Sequence, residues 1–353
     1  MSDKDLICWA LSDGRRGMEN QALGLAEAVA ASGGLSIDVK TANISGFRGR
    51  LPERLLASSI TNPLRHLSSD SDSLASPWPD LVIGCGRNAV GLSLAIKRAG
   101  VKTGKNVVTV QTQDPRVPAK LFDLVVPPFH DELTGPCVEG ILGAPHRVTP
   151  DRLSEEARIW KASVANLPSP LVAVLIGGAS RAYEMTGEAT QLLCDQLLAL
   201  RGTLDCGLVI TASRRTGPAN EKILRTRLRG TGIWFWDGTS ENPYFGMLAL
   251  ADHILVTSDS TNMVTEAAST GKPVHVIHLP GGNEKFTRFH RSMETRGLTR
   301  TFRGALESWT YEPLNEAARI APRIRAMLGL DSAAETGGER QTRAEPVENG
   351  QAP

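Results

Sequence analysis

The chain has 353 residues, 41% of them hydrophobic, with 39 basic against 38 acidic side chains and a formal net charge of +1. That length exceeds one comfortable core and suits two domains of ordinary size. A near-neutral balance excludes an electrostatic grip on nucleic acid.

The amino terminus, MSDKDLICWALSDGRRG, holds no apolar stretch long enough for a secretory signal, and no window approaches a membrane-spanning helix. From there, short apolar runs alternate with helix-like segments, the sign of parallel sheets covered by helices. Strands are expected at LICWAL (6–11), SIDVKTA (36–42), LVIGCG (81–86), NVVTVQT (106–112) and LVVPP (124–128), with GILGA (140–144) as a further candidate. Helical patterns fall at ENQALGLAEAVAAS, RLPERLLASSI and NAVGLSLAIKRAG, and the Ser-rich HLSSDSDSLASPWP is a surface loop. A polar, helix-like run with prolines at both ends marks the junction over 151–169, between an amino-terminal domain at 1–150 and a carboxyl-terminal domain at 170–330. In the second domain strands are expected at LVAVLIGG, GLVITAS, IWFWDG, HILVTS and PVHVIHL, and helices at EATQLLCDQLLAL, NEKILRTRL, PYFGMLALA and NMVTEAAS. Residues 331–353 lack aromatic and large aliphatic side chains apart from one Val, the composition of a disordered tail. The expected fold class is α/β: two doubly wound, Rossmann-like domains facing across a cleft, with ligand beyond the carboxyl ends of the strands.

Four loops at that edge of the second domain carry polar chemistry. TSDSTNMVTEAASTGKPV (257–274) places Ser258, Asp259 and Ser260 between a buried strand and a helix. Ser260 or Thr261 suits the helix cap, and the remaining N–H groups suit a phosphate. Glu266 stands one turn in; it can accept the two hydroxyls of a ribose, or equally be a solvated helix acid. LIGGASRAYEMT ends its strand in Gly177 and Gly178, which permit close backbone approach to a ligand but also make ordinary turns. ITASRRTG puts Ser213, Arg214 and Arg215 past another buried strand, where guanidinium groups suit phosphate oxygens. Asn242 and Tyr244 precede a helix and are placed to flank a base or sugar. The four loops together point to a diphosphate-bearing nucleotide.

In the first domain, LSDGRRGMENQALGLAEAV (11–29) has a thin loop with Gly14 and Gly17 and turns Asp13, Asn20 and Gln21 toward the cleft. It has neither the spacing of a dinucleotide site nor a P-loop lysine. Asp13, Asp114, His130, Asp131 and His146 are the acid/base candidates, with Arg116 beside Asp114; for each histidine a structural role is the commoner one. Asp70 and Asp72 lie in the Ser-rich loop and not at a strand end, so no metal is expected, and no zinc or esterase motif occurs. Five cysteines, an odd number without a C-x-x-C pair, fit reduced core thiols in a cytoplasmic protein. The basic stretch at 285–304, with Lys285, Arg288, Arg291, Arg296, Arg300 and Arg303, is either a solvated face or a peripheral contact with anionic lipid on the inner side of a membrane.

These motifs resemble those of the "elongated mitochondria" family, known as mitochondrial-fission proteins in plants and described as glycosyltransferases in bacteria. The matching pieces are W-x-L-x-D-G-R-x-G-x-x-N-Q (9–21), QDPR, FDLVVPPFHDE, SRRT, NPY and VTSDSTNMVTEAASTGKPV, spread over 9–328. The chain departs at Met18, where the family pattern carries His. The second half is also similar to the donor half of GT-B glycosyltransferases, such as the enzyme that adds N-acetylglucosamine to the peptidoglycan lipid carrier. The resemblance implies a nucleotide-sugar donor held by Glu266 and the loops at Gly177, Ser213 and Ser258, and a hydroxyl acceptor in the first domain beside Gly14, Gly17, Asn20, Gln21, Arg116 and His130. It implies Asp13 or Asp114 as base, with no metal and no cofactor beyond the donor substrate. An interaction protein that keeps the fold without turnover, and a nucleotide-sugar epimerase, are the rival readings.

Overall fold

A computed structural model of the chain describes residues 5–58 and 60–330. The tail expected to be disordered, 331–353, lies outside them. In the first domain the elements are β1 (Leu6–Ser12), α1 (Arg16–Ala30), β2 (Leu35–Thr41), α2 (Glu53–Leu56), β3 (Leu81–Gly84), α3 (Arg87–Lys102), β4 (Val108–Gln111) and β5 (Leu124–Val125). They form a parallel sheet in the order β2-β1-β3-β4-β5. β3 and β4 are buried on both faces; β3 is accordingly an unbroken apolar run, whereas β4 keeps Thr109 and Gln111 buried alongside its valines. GILGA does not become a strand. Pro127 and Pro128 cannot donate to a ladder, and only the isolated bridges Val125–Val138 and Pro128–Ile141 hold this segment to the sheet edge.

The expected junction is a helix, α4 (Pro150–Val164), capped by Thr149, whose hydroxyl accepts from the Arg152 N–H. The second domain continues with β6 (Leu171–Ile176), α5 (Gly187–Thr203), β7 (Gly207–Ala212), α6 (Pro218–Leu228), β8 (Trp234–Phe235), α7 (Tyr244–Leu250), β9 (His253–Thr257), α8 (Thr261–Ala268), β10 (Val274–Ile277), α9 (Glu284–Thr295) and β11 (Thr299–Thr301). Its parallel sheet runs β11-β10-β9-β6-β7-β8. The last helix, α10 (Glu316–Leu328), departs from the expected division at 170–330. Its buried face, Ala317, Ile320, Ala321 and Ile324, joins the core of the first domain beside Leu25 and Val29 of α1. Arg325 secures it by donating to the Val29 and Gly33 carbonyls at 2.9 and 3.0 Å.

In each sheet the strand order reverses at one place: between β1 and β3 in the first, between β6 and β9 in the second. Loops leaving neighbouring strands in opposite directions open a crevice there, the usual ligand position of doubly wound sheets. Asp13 and Gly86 follow β1 and β3; Gly177 and Ser258 follow β6 and β9.

Candidate functional site

In the second domain the crevice is lined by a glycine loop that other groups clasp. A Cβ on Gly177 would lie 2.2 Å from Asp259 Oδ2, and one on Gly178 (φ +151°) 2.1 Å from the Arg215 carbonyl oxygen, so both positions require glycine. The Gly177 N–H donates to Thr257 Oγ1 (2.8 Å) and the Gly178 N–H to Asp259 Oδ2 (2.9 Å). Arg215 reaches the same carboxylate oxygen at 2.8 Å, while the Asp259 side chain is wholly enclosed. Burial pushes the Asp259 pKa up and the guanidinium opposes the shift. Ser213 Oγ and Thr216 Oγ1 donate to the Gly177 carbonyl at 2.8 and 2.5 Å. Ser258 is equally committed: its hydroxyl accepts from the Leu279 N–H (3.1 Å) and its carbonyl from His290 Nε2 (2.9 Å). Ser260 caps α8 through the Met263 N–H at 3.4 Å. Arg214 is exposed and makes no hydrogen bond or ion pair among the described residues.

Glu266 is not a solvated helix acid. It is buried on the inner side of α8, where Tyr244 donates its hydroxyl to Oε2 at 2.5 Å and the Asn20 amide of α1 bonds it from the other domain. Burial raises its pKa from 4.5 to about 7, against the opposing pull of those two donors. Asn242 accepts the Tyr244 N–H at 3.0 Å. Asn242 thus fixes the start of α7, and Tyr244 turns to Glu266 and does not stand free to flank a base.

The first domain meets α8 directly. Asn262 Nδ2 donates to the Gly17 carbonyl (3.1 Å), and a Cβ on Gly17 would come within 2.9 Å of that nitrogen. Gln21 donates to Asn262 Oδ1 (3.0 Å) and accepts from Gln113 Nε2 (3.2 Å) and the Cys85 thiol (3.4 Å). Met18 occupies the same nest, its sulfur 3.4 Å from both Cys85 Sγ and Gln113 Nε2. Nothing in the sequence marked Asn262 beyond its place on the Glu266 face, yet it carries the bridge between domains. Asp13 sits at the end of β1 and holds Arg15 through Oδ2, at 2.8 and 2.5 Å from Nε and Nη2. Gly14 (φ +79°) turns the chain beside Thr41.

Asp114 accepts the Arg116 N–H at 2.8 Å and so shapes its own loop, with Arg116 in the left-handed region at φ +55° and its side chain exposed. His130 belongs to a second domain contact. Its buried ring stands edge-on to Phe289 of α9 with centroids 5.4 Å apart, and burial lowers its pKa to about 4. Around it Lys285 pairs with Asp131, and Arg288 with Glu132 at 3.1 Å. His146 forms a third, bonding Ser269 Oγ at 2.8 Å. Half of the basic stretch is therefore engaged: Arg300 pairs with Glu307 and lies 4.5 Å from the Trp309 ring, leaving Arg291, Arg296 and Arg303 exposed. Asp72, of the loop acid pair, accepts the Thr41 N–H at 2.6 Å. Among the described residues no group of three or more His, Cys, Asp or Glu side chains is arranged to hold a metal, and no helix is long and apolar enough to cross a membrane.

The family model described as mitochondrial fission ELM1 matches residues 16–328. The mitochondrial fission protein ELM1 of Arabidopsis thaliana is 35% identical over 281 residues, covering 71% of this chain and 64% of that protein, so the chain spans less than two thirds of this relative. An uncharacterised protein of Rickettsia prowazekii is 27% identical over 366 residues, covering 92% of this chain and 99% of its own. Among solved structures, the UDP-GlcNAc 2-epimerase of Methanocaldococcus jannaschii aligns with a TM-score of 0.54 at 11% identity, over 91% of this chain and 99% of that one. The S. aureus MnaA–UDP structure aligns at 0.50 and 14% identity, over 92% and 97%. At these identities the likeness is one of fold, and it bears out the two facing Rossmann-like domains of the GT-B type. With the family model spanning both domains, from the first turn of α1 to the last of α10, the chain belongs to the mitochondrial fission ELM1 family.

Proposed function

We propose that the protein transfers a sugar from a nucleotide-sugar donor to a hydroxyl acceptor across the cleft between its domains. The observation that carries this reading is Glu266: a buried carboxylate at the crevice of the donor-side sheet, held among the described residues by a phenol and an amide that a ribose diol can replace. The diphosphate would lie at the amino terminus of α8, where Ser260 satisfies one N–H and leaves others for phosphate oxygens. Arg214 is unengaged among the described residues, and Arg215 can shift from Asp259 toward the leaving group, so both serve charge that grows in the transition state. Asp13, at the facing strand end, is the base for the acceptor hydroxyl once Arg15 moves aside. Donor entry requires the contacts of Asn20 and Gln21 with α8 to loosen, which makes domain opening part of the cycle.

The M. jannaschii epimerase has also been solved with UDP-GlcNAc and UDP, so uridine donors head the test panel. Thermal unfolding of the protein with nucleoside diphosphates and nucleotide sugars is measured beside Glu266→Ala. A donor at a hundred times its dissociation constant adds about 2.7 kcal/mol, several degrees in midpoint, and the shift disappears in the variant. Conversion of a bound nucleotide sugar without acceptor would make the protein an epimerase. A second reading, an interaction protein without turnover, is favoured by the internal satisfaction of Gly177, Gly178, Ser213, Ser258 and Glu266. No shift with any nucleotide would decide for it.

A further inference from the structure

Between β2 and β3, residues 46–58 and Ile60 form a ridge whose backbone is tied down from below. Leu56 is buried against α3 at Gly91, where a Cβ would sit 2.8 Å from Leu56 Cβ. Arg87 donates to the Arg50 carbonyl at 2.9 Å and to that of Leu51, and pairs with Glu53 at 3.0 Å. Arg98 donates to the Ala57 carbonyl at 2.8 Å. So anchored, the ridge turns its remaining apolar side chains outward: Phe47 is 72%, Leu55 48% and Ile60 93% exposed, and Ile60 and Phe47 are the two most exposed large apolar residues described. Exposed apolar residues are ordinary when scattered, but these stand among the exposed cations Arg48, Arg50, Arg54 and Arg65. The single acid within 46–66, Glu53, is neutralised by Arg87.

We propose that this ridge docks the first domain on an anionic lipid bilayer. Phe47, Leu55 and Ile60 enter the headgroup region and the arginines hold lipid phosphates. Outward apolar groups ringed by cations are complementary to such a surface. The stretch at 285–304 offers less, because Phe289 and Met293 of α9 are buried and Lys285 and Arg288 bind the first domain. The ridge borders the crevice through Arg87, which holds Arg50, Leu51 and Glu53 and directly follows Gly86 just past β3; Asn43, three residues before the ridge, donates to the Asp13 carbonyl (3.3 Å) and accepts from Asn88 (3.0 Å). Docking therefore sets the Asp13 edge beside the bilayer; that the acceptor is then a lipid-borne hydroxyl rests on the transferase reading, whereas docking itself does not.

The test is co-sedimentation of the full chain with phosphatidylcholine vesicles, with and without phosphatidylglycerol, in the absence of nucleotide. Wild type is expected on the anionic vesicles. The triple change Arg48→Gln, Arg50→Gln, Arg54→Gln lowers partitioning on the order of a hundredfold, at roughly fivefold per cation. Phe47→Ser with Ile60→Ser removes the part that survives high salt. All changes are on exposed side chains, and circular dichroism confirms folding. A control with Arg291, Arg296 and Arg303 changed to Gln binds as wild type. The proposal fails if wild type ignores anionic vesicles, if ridge variants bind unchanged, or if the control alone loses binding. It also fails if the ridge proves to join two copies, seen as a dimer that Phe47→Ser with Ile60→Ser dissolves. Because no outcome depends on nucleotide, its failure is distinct from that of the donor site.

Discussion

Replacing Glu266 by Gln isolates the energetic consequence of burying a carboxylate between two domains. In the folded protein this acid titrates at about 7 instead of 4.5 because it is removed from water, with Tyr244 and Asn20 only partly compensating. The folded state therefore holds the proton more tightly than the unfolded chain. The stability it contributes is complete below 4.5 and is lost as pH rises toward and through 7. From pH 5 to pH 8 the wild type should lose about 2–3 kcal/mol relative to Glu266→Gln, which keeps an acceptor for the Tyr244 hydroxyl but cannot ionise. For a domain of this size that is roughly 5–10 °C in the difference between the two midpoints. Thermal unfolding of both proteins at the two pH values measures it. Parallel pH dependences, with the gap between midpoints unchanged, would refute the assignment of Glu266 as the buried acid.

His146 titrates in the opposite sense. Burial holds its pKa down near 4, so its contribution is present above 6.5 and lost as pH falls; His146→Gln should recover about 2 kcal/mol relative to wild type between pH 7 and 5, read from urea unfolding. Gly178→Ala, with a Cβ 2.1 Å from the Arg215 carbonyl oxygen, should cost about 2–4 kcal/mol, and a loss well under 1 kcal/mol would contradict the clasped loop. Gln21→Ala and Asn262→Ala should each cost about 1 kcal/mol but together less than the sum, because each removes the same bridge; strict additivity in the double-mutant cycle would deny the coupling. Arg214→Ala should leave stability within about 0.5 kcal/mol of wild type while weakening nucleotide binding. Arg215→Ala, by uncovering the enclosed Asp259 carboxylate, should lower both.

The strands β1, β3, β6, β7 and β9 were legible because each is an apolar run bounded by Gly, Asp or Ser, and burial on both faces leaves no competing pattern. The doubly wound class placed their loops at the carboxyl edge, whereas the strand order came only with the structure. α9 was hidden because its inward residues, Phe289, His290 and Met293, are diluted by cations, of which Lys285 and Arg288 serve the other domain. α10 was hidden because Pro322 interrupts its pattern and its apolar partners lie nearly three hundred positions earlier, on α1. At the site, residue types in each loop were readable, but their mutual satisfaction was not. That Asp259 takes both Arg215 and the Gly178 N–H, and that Asn20 closes over Glu266, depends on loops brought together only by the sheet and by the second domain.

Because α10 completes the hydrophobic core under α1, the amino-terminal domain is not a contiguous stretch of chain. On the ribosome its first five strands emerge early, but Ile320 and Ile324 are among the last described residues to be made. The later domain, whose elements from α4 to β11 are continuous, can reach its native packing while its predecessor still has an uncovered helix face. Synthesis order and the order of final consolidation are thus reversed. The junctions at both ends of the second domain tie the two halves at two points of the backbone, so their relative motion is that of a leaf on a double hinge and not of beads on a string.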